Sequence, residues 1–398
     1  MTAERRTPPV RSLALISSIA YSVPNFRGPL IAALVRAGVR VYALAPDYND
    51  RIRERVRALG AEPVDFSLER TGTRPARDLL DTWRLSRLLR SLKPDVVFSY
   101  FAKPCIYGTL AAKRAGVPRR FALVAGLGYV FEKQERAPSL KRRVLRRAVE
   151  ALYRTAFRAC EHVFFQNEDD IDELVGAGLL RRELITNLHG SGVDLERLRY
   201  VPAPEGPPVF LLMARLLREK GIVQYVEAAR IIRRDHPEVR FVLLGGVDPN
   251  PGGLSEAEVG EWAAEGVVEW PGHVDEVQPW IEGASVFVLP SFYREGKPRS
   301  TQEAMAVGRA VITTDNIGCR DTVEEGVNGF LVPPRDVASL AAAMMRFVED
   351  PSLAGRMGRE SRRLAEERFD AHRINAVILA RIGVPAAGPA IVPGAPGS

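Results

Sequence analysis

The chain has 398 residues, 46% of them hydrophobic and 26% charged, which is more than one hydrophobic core usually organises, so we expect two or three domains. Lys and Arg outnumber Asp and Glu by 56 to 49, a net charge of +7 that suits acidic substrates, nucleic acid or an anionic membrane surface alike. The three cysteines, Cys105, Cys160 and Cys319, lie far apart without C-x-x-C spacing, which argues against a disulfide framework and a zinc site.

Apolar runs are short throughout the chain. The first, at 13–20, is interrupted by two serines and has no cleavage site after it, so it predicts a strand and not a signal peptide. No run reaches the roughly 18 residues that cross a bilayer. We therefore expect a protein of the reducing cytoplasm whose membrane contact, if any, is peripheral.

Short runs rich in Val, Ile and Phe alternate with longer amphipathic stretches, a pattern typical of βα units around a parallel sheet. The first half predicts strands at 12–20, 40–45, 94–100, 121–125, 162–166 and 184–188, and helices at 28–37, 77–92 and 139–160. The second half predicts strands at 209–214, 240–245, 267–270, 285–290, 310–314 and 329–332, and helices at 223–234 and 337–348. The fold class is therefore α/β, with two Rossmann-like βαβ domains.

Residues 200–208 contain four prolines and predict an interdomain linker. We expect an N-terminal domain at 1–200 and a C-terminal domain at 201–382, whose last helix is a candidate to pack back on the first domain. Residues 383–398 are rich in Pro, Ala and Gly, carry no charge and predict a disordered tail. Residues 1–200 hold 35 basic and 22 acidic side chains, against 21 and 27 in the rest, so the basicity belongs to the first domain.

Two carboxylates, Glu295 and Glu303, stand eight residues apart just after the strand predicted at 285–290. In open α/β sheets, ligands bind beyond the carboxyl ends of the strands, where a loop entering a helix offers N–H groups to phosphate oxygens. Ser300 and Glu303 also have the spacing of a capping box, in which Glu303 would only close the start of a helix. Both interpretations are open at this point.

A pair of cations, Arg215 and Lys220, follows the first predicted strand of the second domain. Fixed cations at that edge suit a diphosphate, because they neutralise leaving-group charge without proton transfer. An exposed basic turn is the alternative.

Arg215 and Lys220 followed by Glu295-x7-Glu303, in the second of two Rossmann-like domains, resemble the retaining nucleotide-sugar glycosyltransferases of the GT-B fold, family 4 (group 1). Matching segments extend this resemblance through most of the chain, from 25–28 to 328–333. More narrowly, the segments 103–108, 126–128, 293–300 and 314–320 are similar to the members that build capsule, O-antigen and lipid-linked oligosaccharides in bacteria. The resemblance implies retaining transfer of a hexose or N-acetylhexosamine from a nucleotide-diphosphate sugar, with UDP as the expected nucleotide, to a polyprenyl-diphosphate-linked saccharide. It implies no cofactor or metal. A nucleotide-sugar epimerase or hydrolase on the same fold and a catalytically silent scaffold are the rival functions.

The resemblance also implies roles for individual residues. Arg215 and Lys220 would hold the donor diphosphate, Glu295 would contact the transferred sugar, and Glu303 would accept hydrogen bonds from the ribose. Backbone groups of Gly296 and Lys297 would approach the sugar and β-phosphate. Further substrate-binding candidates are Ser300, Thr301, Gly126 and Gly128 and, on the acceptor side, Asn25, Arg27 and Lys103.

Many relatives carry a His-Gly pair where this chain has Val-Ala-Gly-Leu-Gly at 124–128, so no catalytic histidine is identified. We expect His162 to be structural and His189 to be a turn residue. The acidic run at 168–170 falls at the start of a predicted helix, where it complements the helix dipole, and we assign no metal to it.

Residues 133–158 carry nine Lys or Arg and two acids, and predict a basic amphipathic helix. A helix that packs on the domain core by its apolar face and is solvated on the other would explain the apolar stripe. The cationic face favours an anionic membrane surface, since repulsion between neighbouring arginines needs compensation. We expect docking on the inner face of the cytoplasmic membrane and no nucleic-acid partner, because the helix lacks interleaved aromatic residues.

Overall fold

A computed structural model describes residues 8–69, 74–127, 131, 140–248, 250 and 252–385. Within these residues the chain forms two parallel sheets flanked by helices, which confirms the predicted α/β class. The strands of the first sheet are β1 (Ser12–Ile16), β2 (Arg40–Ala45), β3 (Glu62–Asp65), β4 (Val96–Tyr100), β5 (Arg119–Val124), β6 (His162–Phe165) and β7 (Ile185–Asn187). Those of the second are β8 (Val209–Met213), β9 (Arg240–Leu244), β10 (Glu269–Gly272), β11 (Val286–Leu289), β12 (Ala310–Thr314) and β13 (Gly329–Val332).

Helices connect the strands in βαβ fashion. In the first half they are α1 (Ser22–Arg36), α2 (Asp50–Ala58), α3 (Pro75–Leu92), α4 (Thr109–Ala115), α5 (Leu140–Phe157) and α6 (Glu168–Gly176), with a π-helix at Pro104–Gly108 before α4. In the second half they are α7 (Ile222–Asp235), α8 (Glu256–Ala264), α9 (Gln278–Glu282), α10 (Arg299–Val307), α11 (Val337–Glu349), α12 (Ser352–Arg368) and α13 (Ala371–Ile382). In the part of the chain that the structure describes, every helix is too short or too polar to cross a bilayer.

Each sheet is covered on both faces by apolar helix surfaces. In the first sheet α3, α4 and α5 pack on one face, and α1 and α2 on the other. The last helix, α13, belongs to the second group: Ile374 and Ile378 are buried among residues of α1 and the first sheet. This helix, the last one of the described residues, therefore packs back on the first domain.

The order of strands reverses once in each sheet. The first sheet runs β3-β2-β1-β4-β5-β6-β7 and the second runs β10-β9-β8-β11-β12-β13, so the reversals lie between β1 and β4 and between β8 and β11. The loops leaving such a pair of strands diverge to opposite sides and open a crevice at the carboxyl edge. The candidate residues Arg215, Lys220, Glu295 and Glu303 all follow β8 or β11.

The structure differs from the predicted elements at the edge and near the start of the first sheet. Strand β3 was not predicted, because it has four residues and contains Pro63, which is tolerated only at an edge. Strand β1 ends at Ile16, earlier than predicted, and α1 begins at Ser22 and not at 28. Pro24 falls in the first turn of α1, where a missing N–H costs nothing. Residues 133–139 and 386–398 lie outside the described residues.

Candidate active site between the two domains

Lys220 and Glu295 form an ion pair at the reversal point of the second sheet. Lys220 Nζ donates a hydrogen bond to Glu295 Oε1, and Ser291 Oγ donates to the same oxygen at 3.2 Å. The two charged side chains are only 12% and 13% exposed. Two residues 75 positions apart in the sequence therefore meet at the edge where the sequence predicts a ligand.

Backbone contacts lock the Lys220 loop against the Glu295 loop. The carbonyl of Glu219 accepts hydrogen bonds from the N–H groups of Phe292 at 2.9 Å and Tyr293 at 3.0 Å. Gly221 has a φ of +76°, and a Cβ there would lie 2.1 Å from the carbonyl oxygen of Pro290. Only glycine allows this approach, so the ion pair is set by close backbone packing.

Arg215 follows the same strand as Lys220 and is more accessible. Its Nη1 lies 2.7 Å from Asp248 Oδ2, and its side chain is 41% exposed. Asp248 is only 4% exposed in its side chain and needs this partner, but a guanidinium has five N–H donors, so Arg215 can keep Asp248 and offer its remaining donors to a phosphate.

Helix α10 begins without a side-chain cap. Its first residue is Arg299 and the N-cap is Pro298, so Ser300 lies inside the helix and cannot cap it. Glu303 accepts a hydrogen bond from Arg299 Nε at 2.9 Å. The capping-box interpretation of Ser300 and Glu303 is therefore wrong.

The first turn of α10 holds unused hydrogen-bonding groups. The Thr301 side chain is buried, and its Oγ1 has no hydrogen-bond partner among the described residues. The first N–H groups of an uncapped helix lack partners as well, and the helix dipole makes this end attractive to anions. Thr301 and the start of α10 are therefore able to receive an anionic group.

Gly126 and Gly296 bring the two domains into contact beside Glu295. Gly126 has a φ of +101°, and a Cβ there would lie 2.7 Å from the Gly296 nitrogen. Asn167 Nδ2 donates to the Gly296 carbonyl at 2.7 Å. The loop that carries Glu295 is thus held by the first domain. Gly128, the other predicted glycine, lies outside the described residues.

Two interdomain ion pairs beside this loop were missed by sequence reasoning. Arg294 Nε donates to Asp170 Oδ1 at 2.8 Å, with both side chains at least 96% buried, and Arg320 donates to Asp169 Oδ1 at 2.7 Å. Burial raises the pKa of Asp170, and Arg294 opposes that rise. The available signal was the acidic run itself, because Asn167 already caps α6 and leaves these carboxylates for other partners.

Lys297 is buried beside the same loop. Its Nζ lies 3.4 Å from Asp321 Oδ2, and burial lowers its pKa, an effect that Asp321 opposes. The Lys297 carbonyl accepts a hydrogen bond from Gln302 Nε2 at 3.1 Å, so the backbone N–H is the polar group of Lys297 for which the described residues show no partner.

The acceptor-side candidates follow β1 and β4, the strands at the reversal point of the first sheet. Arg27 on α1 is 98% buried, its guanidinium lies 5.2 Å from the centre of the Tyr100 ring, and burial lowers its pKa to about 10. Its Nε and Nη1 have no hydrogen-bond partner among the described residues. By contrast, Asn25 accepts a hydrogen bond from Arg55 at 2.8 Å, and Lys103 pairs with a carboxylate of α3 at 2.7 Å.

His162 and His189, the two histidines that the sequence singles out, lie in different surroundings. His162 is buried at the start of β6, with its Nε2 2.8 Å from Thr186 Oγ1, and burial lowers its pKa to about 4. His189 is exposed and adopts a φ of +57° in a turn. Among the described residues no group of three or more His, Cys, Asp or Glu side chains is placed to hold a metal ion.

Two family models match the chain and adjoin each other. Glycosyltransferase Family 4 matches residues 30–197, and Glycosyl transferases group 1 matches residues 196–364. Among curated relatives, the N,N'-diacetylbacillosaminyl-diphospho-undecaprenol alpha-1,3-N-acetylgalactosaminyltransferase of Campylobacter jejuni is 28% identical over 86% of this chain and 90% of its own length. The putative glycosyltransferase EpsD of Bacillus subtilis is 28% identical over 71% of this chain and 74% of its own length.

Solved structures share the fold. Sucrose-phosphate synthase of Thermosynechococcus elongatus superposes with a TM-score of 0.74 at 20% identity, over 94% of this chain and 98% of its own. Anabaena HepE, solved in complex with UDP and glucose, superposes with a TM-score of 0.72 at 17% identity, over 94% and 99%. The two family domains and this fold identify the chain as a glycosyltransferase enzyme of the GT-B fold, with a family 4 domain followed by a group 1 domain.

Proposed function

We propose that this enzyme transfers a hexose or N-acetylhexosamine from a UDP-sugar, with retention, to a saccharide carried on a polyprenyl diphosphate in bacterial surface glycan assembly. The main support for this proposal is the ion pair of Lys220 and Glu295 at the point between β8 and β11 where the strand order reverses. The name of the Campylobacter jejuni relative specifies a sugar carried on diphospho-undecaprenol, which supports the acceptor class.

The donor diphosphate is assigned to the edge formed by Arg215, Lys220 and the start of α10. A Lys ammonium has three donors, so Lys220 can hold Glu295 and a phosphate oxygen together. Arg215 can reach the other phosphate with the N–H donors that do not hold Asp248. The uncapped N-terminus of α10 and the Thr301 hydroxyl add neutral donors. These groups place positive potential where charge develops on the leaving diphosphate, and we expect turnover to persist in EDTA.

Glu295 is assigned to the transferred sugar as a hydrogen-bond acceptor. Lys220 and Ser291 both donate to its carboxylate, and this lowers its reactivity as a nucleophile. In the proposed step, the bond between the anomeric carbon and the phosphate oxygen breaks, and the acceptor hydroxyl oxygen bonds to that carbon on the same face. The hydroxyl proton passes to the leaving phosphate oxygen. Glu303 is assigned to the ribose hydroxyls.

The acceptor diphosphate is assigned to the first domain at the loops after β1 and β4. Arg27 is the best candidate there, because its side chain is buried and its Nε and Nη1 have no hydrogen-bond partner among the described residues. A desolvated cation of this kind gains most from an anion, since burial already penalises its charge. Lys103 can hold Asp78 and a phosphate oxygen together, because an ammonium has three donors. Asn25 would contribute by exchanging its partner Arg55.

The basic face of α5 is assigned to an anionic membrane surface. Arg143 and Arg147 on α5, and Arg158 directly after it, are exposed and form no ion pair with any described residue. Each basic residue near an anionic surface contributes about 1 kcal/mol. We expect R143Q/R147Q/R158Q to lose flotation with anionic vesicles, while a control that removes three exposed arginines elsewhere, R181Q/R234Q/R356Q, keeps it. Equal binding of the unsubstituted protein to neutral and anionic vesicles would contradict this assignment.

Product formation from UDP-sugars and prenyl-diphosphate saccharides tests the proposal directly. We expect UDP release to require the acceptor, and Glu295→Gln to lower turnover about a hundredfold. Glu227→Gln, at an exposed position of α7, is the control and should leave turnover unchanged. Acceptor-independent UDP release would indicate a hydrolase or epimerase, and failure to bind any nucleotide would indicate a scaffold.

A further inference from the structure

Helix α3 turns apolar side chains outward and carboxylates inward. Leu79 is 71% exposed, Leu80 44% and Trp83 42%. Trp83 follows the two leucines by four and three residues, so the three side chains form one stripe of the helix surface. Asp78 and Asp81 are 3% and 2% exposed. A helix on a protein in water normally shows the opposite arrangement, so this face is built for contact with something other than water.

Buried contacts hold α3 in this orientation. Asp78 pairs with Lys103 at 2.7 Å, with side-chain exposures of 4% and 17%. Further along, Leu85 and Leu89 enter the core of the first sheet. The helix cannot rotate its leucines inward without breaking a buried ion pair and withdrawing these two residues from the core.

The start of α5 exposes apolar side chains at the same edge of the domain. Leu140 is 71% exposed and Val144 60%, and α3, α4 and α5 share one face of the first sheet. Both α3 and α5 begin at the carboxyl edge, and the π-helix at Pro104–Gly108 packs between them. This apolar rim, which comprises Leu79, Leu80, Trp83, Leu140 and Val144, includes half of the ten large exposed apolar residues of the described chain.

Arginines surround the apolar rim. Arg77, Arg84 and Arg87 are exposed on α3, and the Arg87 guanidinium lies 4.9 Å from the centre of the Trp83 ring. Arg143 and Arg147 are exposed on α5. A second copy of this chain would bring arginine against arginine. An anionic bilayer offers headgroup charge to the arginines and an interfacial region that favours Trp and Leu.

We propose that the apolar rim inserts into the interfacial region of an anionic bilayer, with the surrounding arginines on the headgroups. The inference deepens the proposed function and rests on its membrane association. Insertion of the rim adds an apolar, salt-resistant contribution to the membrane affinity, beside the electrostatic contribution of α5. Insertion of the rim would also place the mouth of the cleft, at the carboxyl edge of the sheet, next to the membrane surface where the diphosphate of a polyprenyl lipid lies.

Quenching of tryptophan fluorescence by brominated lipids tests insertion of the rim. The chain has four tryptophans, so W83F assigns the signal. With vesicles of phosphatidylcholine and about 30% phosphatidylglycerol, we expect quenching in the unsubstituted protein and its loss in W83F. Quenching that is absent in the unsubstituted protein, or equal in W83F, would overturn the proposal.

Flotation at about 0.5 M NaCl, where surface charges are screened beyond a few ångströms, isolates the apolar part. We expect L79N/L80N to lose about tenfold or more in this binding, while I231N, at an exposed position of α7, keeps it. Unchanged binding of L79N/L80N would overturn the proposal, as would a protein dimer that L79N/L80N dissociates.

Turnover of a short-chain, water-soluble acceptor separates this inference from the proposed function. We expect L79N/L80N to keep that turnover at the level of the unsubstituted enzyme. If the rim inserts but no prenyl-diphosphate saccharide accepts sugar, the inference stands and the proposed function fails. If transfer occurs without insertion, the inference alone fails.

Discussion

Replacing Asp170 by Asn should loosen the joint between the two domains. Asp170 and Arg294 are 1% and 4% exposed in their side chains, and 2.8 Å separates the bonded atoms. Removing one partner of a buried ion pair leaves a charge without compensation, at a cost of about 3–5 kcal/mol. Arg294 would keep the carbonyl of Phe131 at 2.8 Å and the carboxylate of Glu173 at 3.6 Å. We therefore expect the lower end, about 3 kcal/mol.

The same substitution should reduce catalysis, because Arg294 immediately precedes Glu295. A displaced catalytic group commonly costs about a hundredfold in rate, and we expect kcat/KM to fall by about that factor in D170N. Stability is read from urea unfolding midpoints and catalysis from transfer kinetics.

Asp172→Asn provides the matched control on the same helix. Asp172 is 74% exposed and pairs with Arg182, which is 56% exposed, so its loss should cost about 0.5 kcal/mol or less and leave kcat/KM unchanged. Equal effects of D170N and D172N on midpoint and rate would refute the reasoning that the buried pair joins the domains.

Three further predictions each test a single contact. Gly126→Ala should lower kcat/KM well below that of Gly178→Ala, because both glycines have positive φ but only the former would place a Cβ against Gly296; equal kinetics would contradict this. Ser255→Ala should cost about 1 kcal/mol in urea unfolding because Ser255 caps α8 in a capping box. Ser300→Ala should leave the free energy of unfolding unchanged or slightly raised, because Ser300 lies inside α10 and Ala is the better helix former; a loss equal to that of Ser255→Ala would restore the capping interpretation of Ser300. For His162, burial lowers the pKa in the folded state to about 4. Its contribution to the free energy of unfolding is therefore complete above the unfolded pKa of about 6.5 and is lost as pH falls, by about 1 kcal/mol at pH 5.5. His162→Gln should remove that part of the loss between pH 7.5 and 5.5, and an unchanged pH dependence would show that other groups cause it.

The fold was largely predictable because buried strands leave a strong local signal. Val209–Met213 and Val286–Leu289 are continuous apolar runs, as strands covered on both faces must be. Strand β3 was not predictable in this way, because Glu62–Asp65 sits at an edge and is only partly buried. The start of α1 was placed too late because Pro24 suggests a break, although a proline in the first turn of a helix costs no hydrogen bond.

The site was predictable where residues follow adjacent strands and not where they pair across domains. Lys220 and Glu295 follow β8 and β11, so the parallel topology alone brings them to one edge. The pairing of Arg294 with Asp170 spans 124 positions and depends on how two domains meet, which no local pattern records. The apolar stripe of α3 was visible in the sequence, but its outward orientation depends on the partner of Asp78.

Binding of UDP measured by calorimetry tests most directly the claim that the Lys220–Glu295 edge holds the donor diphosphate. Lys220→Met should weaken UDP binding by about 2 kcal/mol, or roughly thirtyfold, the contribution of one charge-assisted contact. Arg218→Met, two residues away at an exposed position paired with Glu258, should bind UDP as the unsubstituted enzyme does. If K220M binds UDP as tightly as R218M, the donor site lies elsewhere and the account of this cleft is wrong.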